Sequence, residues 1–160
     1  MKVKMRNGCF ETNSSSIHSL CIPRSTSYRI PKYVNFYLGR YGWGPDAEIN
    51  PGNYLYTYLA LTNDTKRIEQ LENILYKHGA EHVSFEPYNK KEGWYDFYID
   101  HASESEDWVN SLFADEEKLL HHLFTPGAVL YITNDNSPDR EIMREINAAK
   151  ECDDEVVSLG

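Results

Sequence analysis

The chain alternates apolar and basic residues from the start, Lys2-Val3-Lys4-Met5-Arg6, a pattern that predicts a strand with one buried face over 2–6. A second short strand is predicted over 17–22 (Ile-His-Ser-Leu-Cys-Ile), ended by Pro23, and an aromatic-rich strand over 33–38. Gly39, Gly42, Gly44 and Pro45 then break the pattern around Trp43. From Asn50 the period changes. Pro51 suits the first position of a helix, where a missing N–H costs nothing, and Tyr54, Leu55, Tyr58 and Leu59 share one face. Asp64 is the cap of a second helix with Ile68, Leu71, Ile74 and Leu75 inward and Gly79 at its end, so the two should form an αα-hairpin.

Residues 82–86 and 94–100 read as strands around the charged turn 89–93, which suggests a long hairpin. Ser103 and Glu106 have the spacing of a capping box ahead of Trp108, Val109, Leu112 and Phe113. Another helix follows Asp115 with Leu119, Leu120, Leu123 and Phe124 inward. The run 128–132 is nearly all apolar, as expected of a central strand. Ser137 and Pro138 open a last helix with Ile142, Met143 and Ile146 inward, and an acidic tail from about residue 152 reads as mobile or a frayed edge strand. Strands and helices mix without a steady βαβ alternation. The expected fold is therefore α+β, a single domain over 1–160 with one mixed β-sheet and about five helices.

Composition sharpens this picture at three points. Apolar residues make up 41 % and aromatics 13 %, with 12 tyrosines, which is globular composition suited to half-buried strands and polar pocket walls. The net charge of −9 is uneven: residues 1–45 hold seven Lys/Arg and one acid (+6), residues 46–160 nine Lys/Arg and 24 acids (−15). That distribution disfavours non-specific nucleic-acid binding over the whole surface, leaves a local phosphate site in the basic third possible, and offers an acidic face over 104–117 and the last helix to a basic host protein. Three cysteines without CxxC spacing, no signal-peptide pattern and no apolar run near 20 residues lead to the expectation of a cytoplasmic protein without a membrane segment.

The candidate chemistry gathers in three polar clusters, each after a predicted strand. The first is the loop Glu11-Thr12-Asn13-Ser14-Ser15-Ser16 with His18, preceded by Arg6. Its hydroxyls, amides and successive backbone N–H groups can cradle an anion, or simply satisfy their own backbone as a turn. The second is Asp100-His101, and the third is Thr133-Asn134-Asp135-Asn136. If the three strands run parallel, the clusters meet at one sheet edge, where ligands of such sheets lie. His18 and His101 can then act as acid or base with Asp100 or Asp135 orienting an imidazole, while Arg6 and the loop through Ser16, with Asn136, bind the ligand. A metal site from His18, His101 and Asp135 is a further reading, without a local spacing signature, and the residues leave the cofactor unknown.

The motif Phe10-Glu11-Thr12-Asn13-Ser14-Ser15-Ser16-x-His18-Ser19, with Ile99-Asp100-His101, Leu123-Phe124 and Asn134-Asp135-Asn136, resembles a family of small proteins found in bacteriophages and related Firmicute genomes. The resemblance implies that Glu11, Thr12, Asn13, Ser14, Ser15, Ser16, His18, Asp100, His101, Asp135 and Asn136 belong to one shared feature. Together these readings lead to the expectation of a phage-encoded accessory protein that binds, and in an enzymatic version processes, a nucleotide or other phosphate-bearing ligand to counter host defence. The alternative is an acidic protein that blocks a host nucleic-acid-binding or defence protein.

Overall fold

A computed structural model describes residues 16–24, 27–42, 45–88 and 96–159. The expected strand over 2–6 lies outside these residues, as do Trp43 and the turn 89–93. Within them the fold is α+β, with five α-helices and eight strands. The strands include both parallel and antiparallel pairs, divided among three sheets where the sequence suggested one.

The principal sheet is antiparallel, in the order β4 (Asp46–Ile49), β7 (Val129–Asn134), β1 (Ser16–Ile22), β8 (Glu155–Ser158). Alternation along β1 assigns its two faces. Ser16, His18, Leu20 and Ile22 point one way, with Leu130 and Ile132 of β7 beside them, into the main apolar core. Cys21 points the other way and packs with Tyr131 and Val156 against Ile142 and Ile146 of α5 (Arg140–Glu151). The result is three layers: α5, the sheet, and the remaining helices. The apolar run expected to form the central strand is indeed β7, flanked by β4 and β1.

Under the main face lies α1 (Pro51–Leu61), capped by Asn50, whose side chain accepts from Asn53 N–H, with Pro51 at the first position as the sequence indicates. It is buried nearly all round, not on one stripe, because other elements cover its remaining sides. Its polar tips are satisfied: Tyr56 donates to the Glu86 carbonyl, and Thr57 donates to the Asn53 carbonyl while accepting from Gly39 N–H. The cap Asp64 starts α2 (Thr65–Lys77), and the chain turns out at Gly79 with φ +103°, a conformation that suits glycine. Asp115 likewise caps α4 (Glu116–Phe124) through Lys118 N–H. These local signals read correctly.

Three expectations are corrected. Strands β5 (His82–Phe85) and β6 (Tyr98–Ile99) do not form a hairpin with each other. β5 pairs in parallel with β2 (Tyr33–Phe36), and β6 in parallel with β3 (Arg40–Tyr41). The Ser103 to Glu106 capping box is not used. The chain turns at His101, with φ +52°, into a 3-10 turn over Ala102–Ser105, and α3 (Glu106–Ala114) begins without a side-chain cap because Ser105 is drawn into the core. The last helix opens on Asp139, whose carboxylate accepts from Glu141 and Ile142 N–H, rather than on Ser137. The acidic tail resolves towards the edge-strand reading: β8 pairs antiparallel to β1, and Leu159 beyond it is 1 % exposed. A helix long and apolar enough to cross a membrane is absent among the described residues.

Candidate functional site

The site begins with an antiparallel register. Ser16, the first residue of β1, lies opposite Asn134, the last of β7, so the chain entering β1 and the turn leaving β7 share one end of the sheet. The convergence expected from parallel strands thus arises between antiparallel neighbours. The second cluster arrives separately, on the turn after β6, where Ser16 Oγ donates to Asp100 Oδ2 at 2.8 Å.

His18, two residues along β1, is on the same face as Ser16 and is 2 % exposed. Its Nε2 lies 2.7 Å from Ser16 Oγ and its Nδ1 2.7 Å from the Tyr54 hydroxyl, with the tyrosine ring edge-on at 5.7 Å between centroids. Tyr54 continues to Ser105 Oγ at 2.9 Å, and Ser105 lies 3.2 Å from the Leu159 carbonyl. Leu159 closes the circuit by donating its N–H to the His18 carbonyl at 2.8 Å. Burial pushes the His18 imidazole down to about 4, against the pull of the Asp100 carboxylate and with a small further push from His101. His18 is therefore neutral near pH 7. Burial also pushes the Tyr54 phenol well above its ordinary value, so it stays protonated.

Solvent meets this network at Asp100 and His101, whose side chains are 20 % and 43 % exposed. His101 Nε2 is 3.7 Å from Asp100 Oδ2 and its Nδ1 is 3.9 Å from Glu104 Oε1, so the ring stands between two carboxylates. Its left-handed backbone is uncommon for a residue other than glycine, and such positions cluster at functional sites. Chemically the arrangement pairs an accessible carboxylate and imidazole with a buried neutral imidazole reached through one hydroxyl. That set can accept or hold a proton at Asp100 or His101, while His18 lies too deep to touch a ligand itself.

Of the residues that sequence reasoning singled out, the structure brings Ser16, His18, Asp100 and His101 together. Asp135 and Asn136 lie on the turn just after Asn134, at the same sheet end. Asn136 N–H is bonded to Asn134 Oδ1 at 2.8 Å, an Asx-type turn. Arg6, Glu11, Thr12, Asn13, Ser14 and Ser15 lie outside the described residues, in sequence directly before Ser16. Beside the β7 turn is an open cleft of about 590 Å³, lined by Pro45, Thr133, Asn134, Ser137, Asp139 and Arg140 among others, a size ordinary for small-ligand sites. Sequence reasoning missed Tyr54, Ser105 and Arg140. Tyr54 read only as a core aromatic, and Ser105 lay unassigned inside the Ser103 to Glu106 capping box. A fully buried Tyr needs a hydroxyl partner, but nothing local says which.

Among the described residues no group of three or more His, Cys, Asp or Glu side chains is arranged to hold a metal ion. The acidic face is partly spoken for. Glu116 binds Lys77 and His78, and Glu117 accepts from the Tyr28 hydroxyl at 2.5 Å, whereas Glu106 and Asp107 are exposed. No protein-family model, curated protein or solved structure matches the chain.

Proposed function

We propose that the protein is a phage-encoded accessory protein of the host cytoplasm that binds a phosphate-bearing small molecule of the nucleotide class at the end of the principal sheet, and acts on it through Asp100 and His101. The single observation that carries this reading is the continuous hydrogen-bonded path from buried His18 through Ser16 to the accessible Asp100 beside His101. A polar chain of this kind inside an apolar core is costly unless every member is satisfied, and it ends at Asp100, bonded to the Ser16 that pairs with Asn134 at the end of β7. The charge of the groups orders the ligand. Asp100 and Glu104 repel phosphate and suit sugar hydroxyls, so the phosphate belongs with Arg6, the Glu11–Ser16 segment and Arg140. The resemblance to phage proteins, which rests on these same residues, supports the reading.

The test is a thermal-shift panel of nucleotides, dinucleotides and cyclic nucleotides on the intact chain. A ligand at 100 times its dissociation constant adds about 2.7 kcal/mol, or roughly 5–10 °C for a domain of this size. The expected result is a shift that Asp100→Asn and His101→Ala abolish while leaving the ligand-free midpoint within a few degrees. A flat panel on the folded protein would reject the reading. One observation favours a second reading, an acidic surface that blocks a basic host protein: Glu106 and Asp107 are exposed and form no ion pair among the described residues. Charge reversal at those two positions, not at Glu116 where it would break the contact to Lys77, separates the two readings.

A further inference from the structure

Counting hydrogens along the buried path gives it a direction. Five contacts run Asp100, Ser16, His18, Tyr54, Ser105 and the Leu159 carbonyl in series. With His18 neutral the side chains supply four hydrogens, one each from Ser16, the imidazole, Tyr54 and Ser105. Asp100 only accepts, so Ser16 spends its hydrogen there and must receive one from His18 Nε2. Nδ1 is then a bare acceptor, and Tyr54 donates to it. The single Ser105 hydrogen then has two acceptors within reach, the Tyr54 oxygen at 2.9 Å and the Leu159 carbonyl at 3.2 Å, and in our reading it goes to the shorter contact.

We infer that Tyr54 and Ser105 are positioning residues of this site: Ser105 aims the Tyr54 hydroxyl, Tyr54 holds His18 as the tautomer with hydrogen on Nε2, and that tautomer aims the Ser16 hydrogen at Asp100. The inference rests on the reading that Asp100 belongs to the functional site. It adds that the site is supported from α1, distant in sequence, and from the Ala102–Ser105 turn that follows His101. It also links the site to the C-terminal strand. One proton added to His18 supplies the fifth hydrogen: Nδ1–H then donates to Tyr54, Tyr54 to Ser105, and Ser105 to the Leu159 carbonyl. Both hydroxyls reverse by rotation alone, without moving a heavy atom. The groups that face His18 are Asp100 and His101 from the turn after β6 and Tyr54 from α1. Behind Tyr54 stands the Tyr41 ring at 5.1 Å, with Glu104 acting on it through charge.

The experiment is nitrogen-15 NMR of the imidazole rings in the intact, ligand-free protein at pH 7. The expected His18 signals are a protonated Nε2 and an unprotonated Nδ1. Tyr54→Phe, which deletes one oxygen, should raise the share of the Nδ1–H form about tenfold, the equivalent of one lost hydrogen bond. Ser105→Ala should move it the same way by less, and Ser16→Ala, which removes the acceptor of Nε2–H, supplies the same reading should Tyr54→Phe fail to fold. An Nδ1–H tautomer in the native protein, or an unchanged tautomer in these variants while folded, overturns the inference. Because no ligand is present, the outcome is separate from the thermal-shift panel. The relay with a flat panel removes the site reading alone, and a ligand shift lost in Asp100→Asn with an unmoved tautomer removes the relay alone.

Discussion

The protein buries two histidines of nearly equal exposure, His18 at 2 % and His122 at 1 %, and both are neutralised by loss of solvent. Their partners differ in kind. His122 Nδ1 accepts from the Trp108 indole N–H at 3.1 Å, and its Nε2 donates to Glu155 Oε1 at 3.1 Å. An indole N–H is a donor only, so its hydrogen cannot be turned around, and a proton on His122 Nδ1 would face another hydrogen. His18 sits between two hydroxyls, each of which both donates and accepts, so the same proton is absorbed by rotation. Burial alone therefore does not distinguish a structural histidine from a relay. The reversibility of its neighbours does.

The largest effect that bears on this contrast is at the tail. Leu159 lies under the His18 network with its N–H on the His18 carbonyl, so Leu159→Ala should cost about 2–5 kcal/mol in urea unfolding. A loss below about 1 kcal/mol would show that Leu159 is not pinned there. Next comes acid. His18 has a folded value of about 4 against an ordinary 6.5, so between those pH values the unfolded chain binds more protons and stability falls as pH falls. The His18 contribution is fully present above pH 6.5 and is lost down to pH 4, about 3 kcal/mol in all. His122, also lowered, adds in the same direction. Comparing urea midpoints at pH 7 and pH 4.5 in the native protein and in His18→Gln isolates the His18 share, and an unchanged slope in the variant would refute it.

The smallest effect is the sharpest discriminator. Trp108→Phe leaves His122 Nδ1 with no replacement donor and should cost about 1–3 kcal/mol, whereas Tyr54→Phe should cost about 1 kcal/mol because Ser16 and Ser105 can re-aim their hydroxyls. The ring-nitrogen signals should behave in the opposite sense, moving for His18 in Tyr54→Phe and staying put for His122 in Trp108→Phe. Equal behaviour at the two sites would erase the distinction.

What could be read before folding was local. Asn50 with Pro51, Asp64 and Asp115 each satisfy a helix start from within a few residues, so composition at one point decides the outcome. The strands were read less well. β4, with the sequence Asp-Ala-Glu-Ile and a break at Glu48 where φ is +59°, carries no alternation to read because it is an exposed edge held by β7. The hairpin expected between β5 and β6 failed because β2 and β3, remote in sequence, offer those strands parallel partners. The capping box failed because Ser105 gains a buried partner in Tyr54, a contact 51 residues away.

The sequence by itself determined the α+β class, the helix starts at Asn50, Asp64 and Asp115, the centrality of β7 and the suspicion that Ser16, His18, Asp100 and His101 work together. Each follows from periodicity, from capping over a single turn, or from residue types whose chemistry is scarce elsewhere in the chain. Only the tertiary structure decided that Ser16 stands between His18 and Asp100, that Tyr54 and Ser105 orient the ring, and that the tail closes the circuit at Leu159. The reason is physical. A hydrogen bond across 84 residues, like that from Ser16 to Asp100, is set by strand register and by the turn at His101. Neither leaves a trace in the neighbouring sequence.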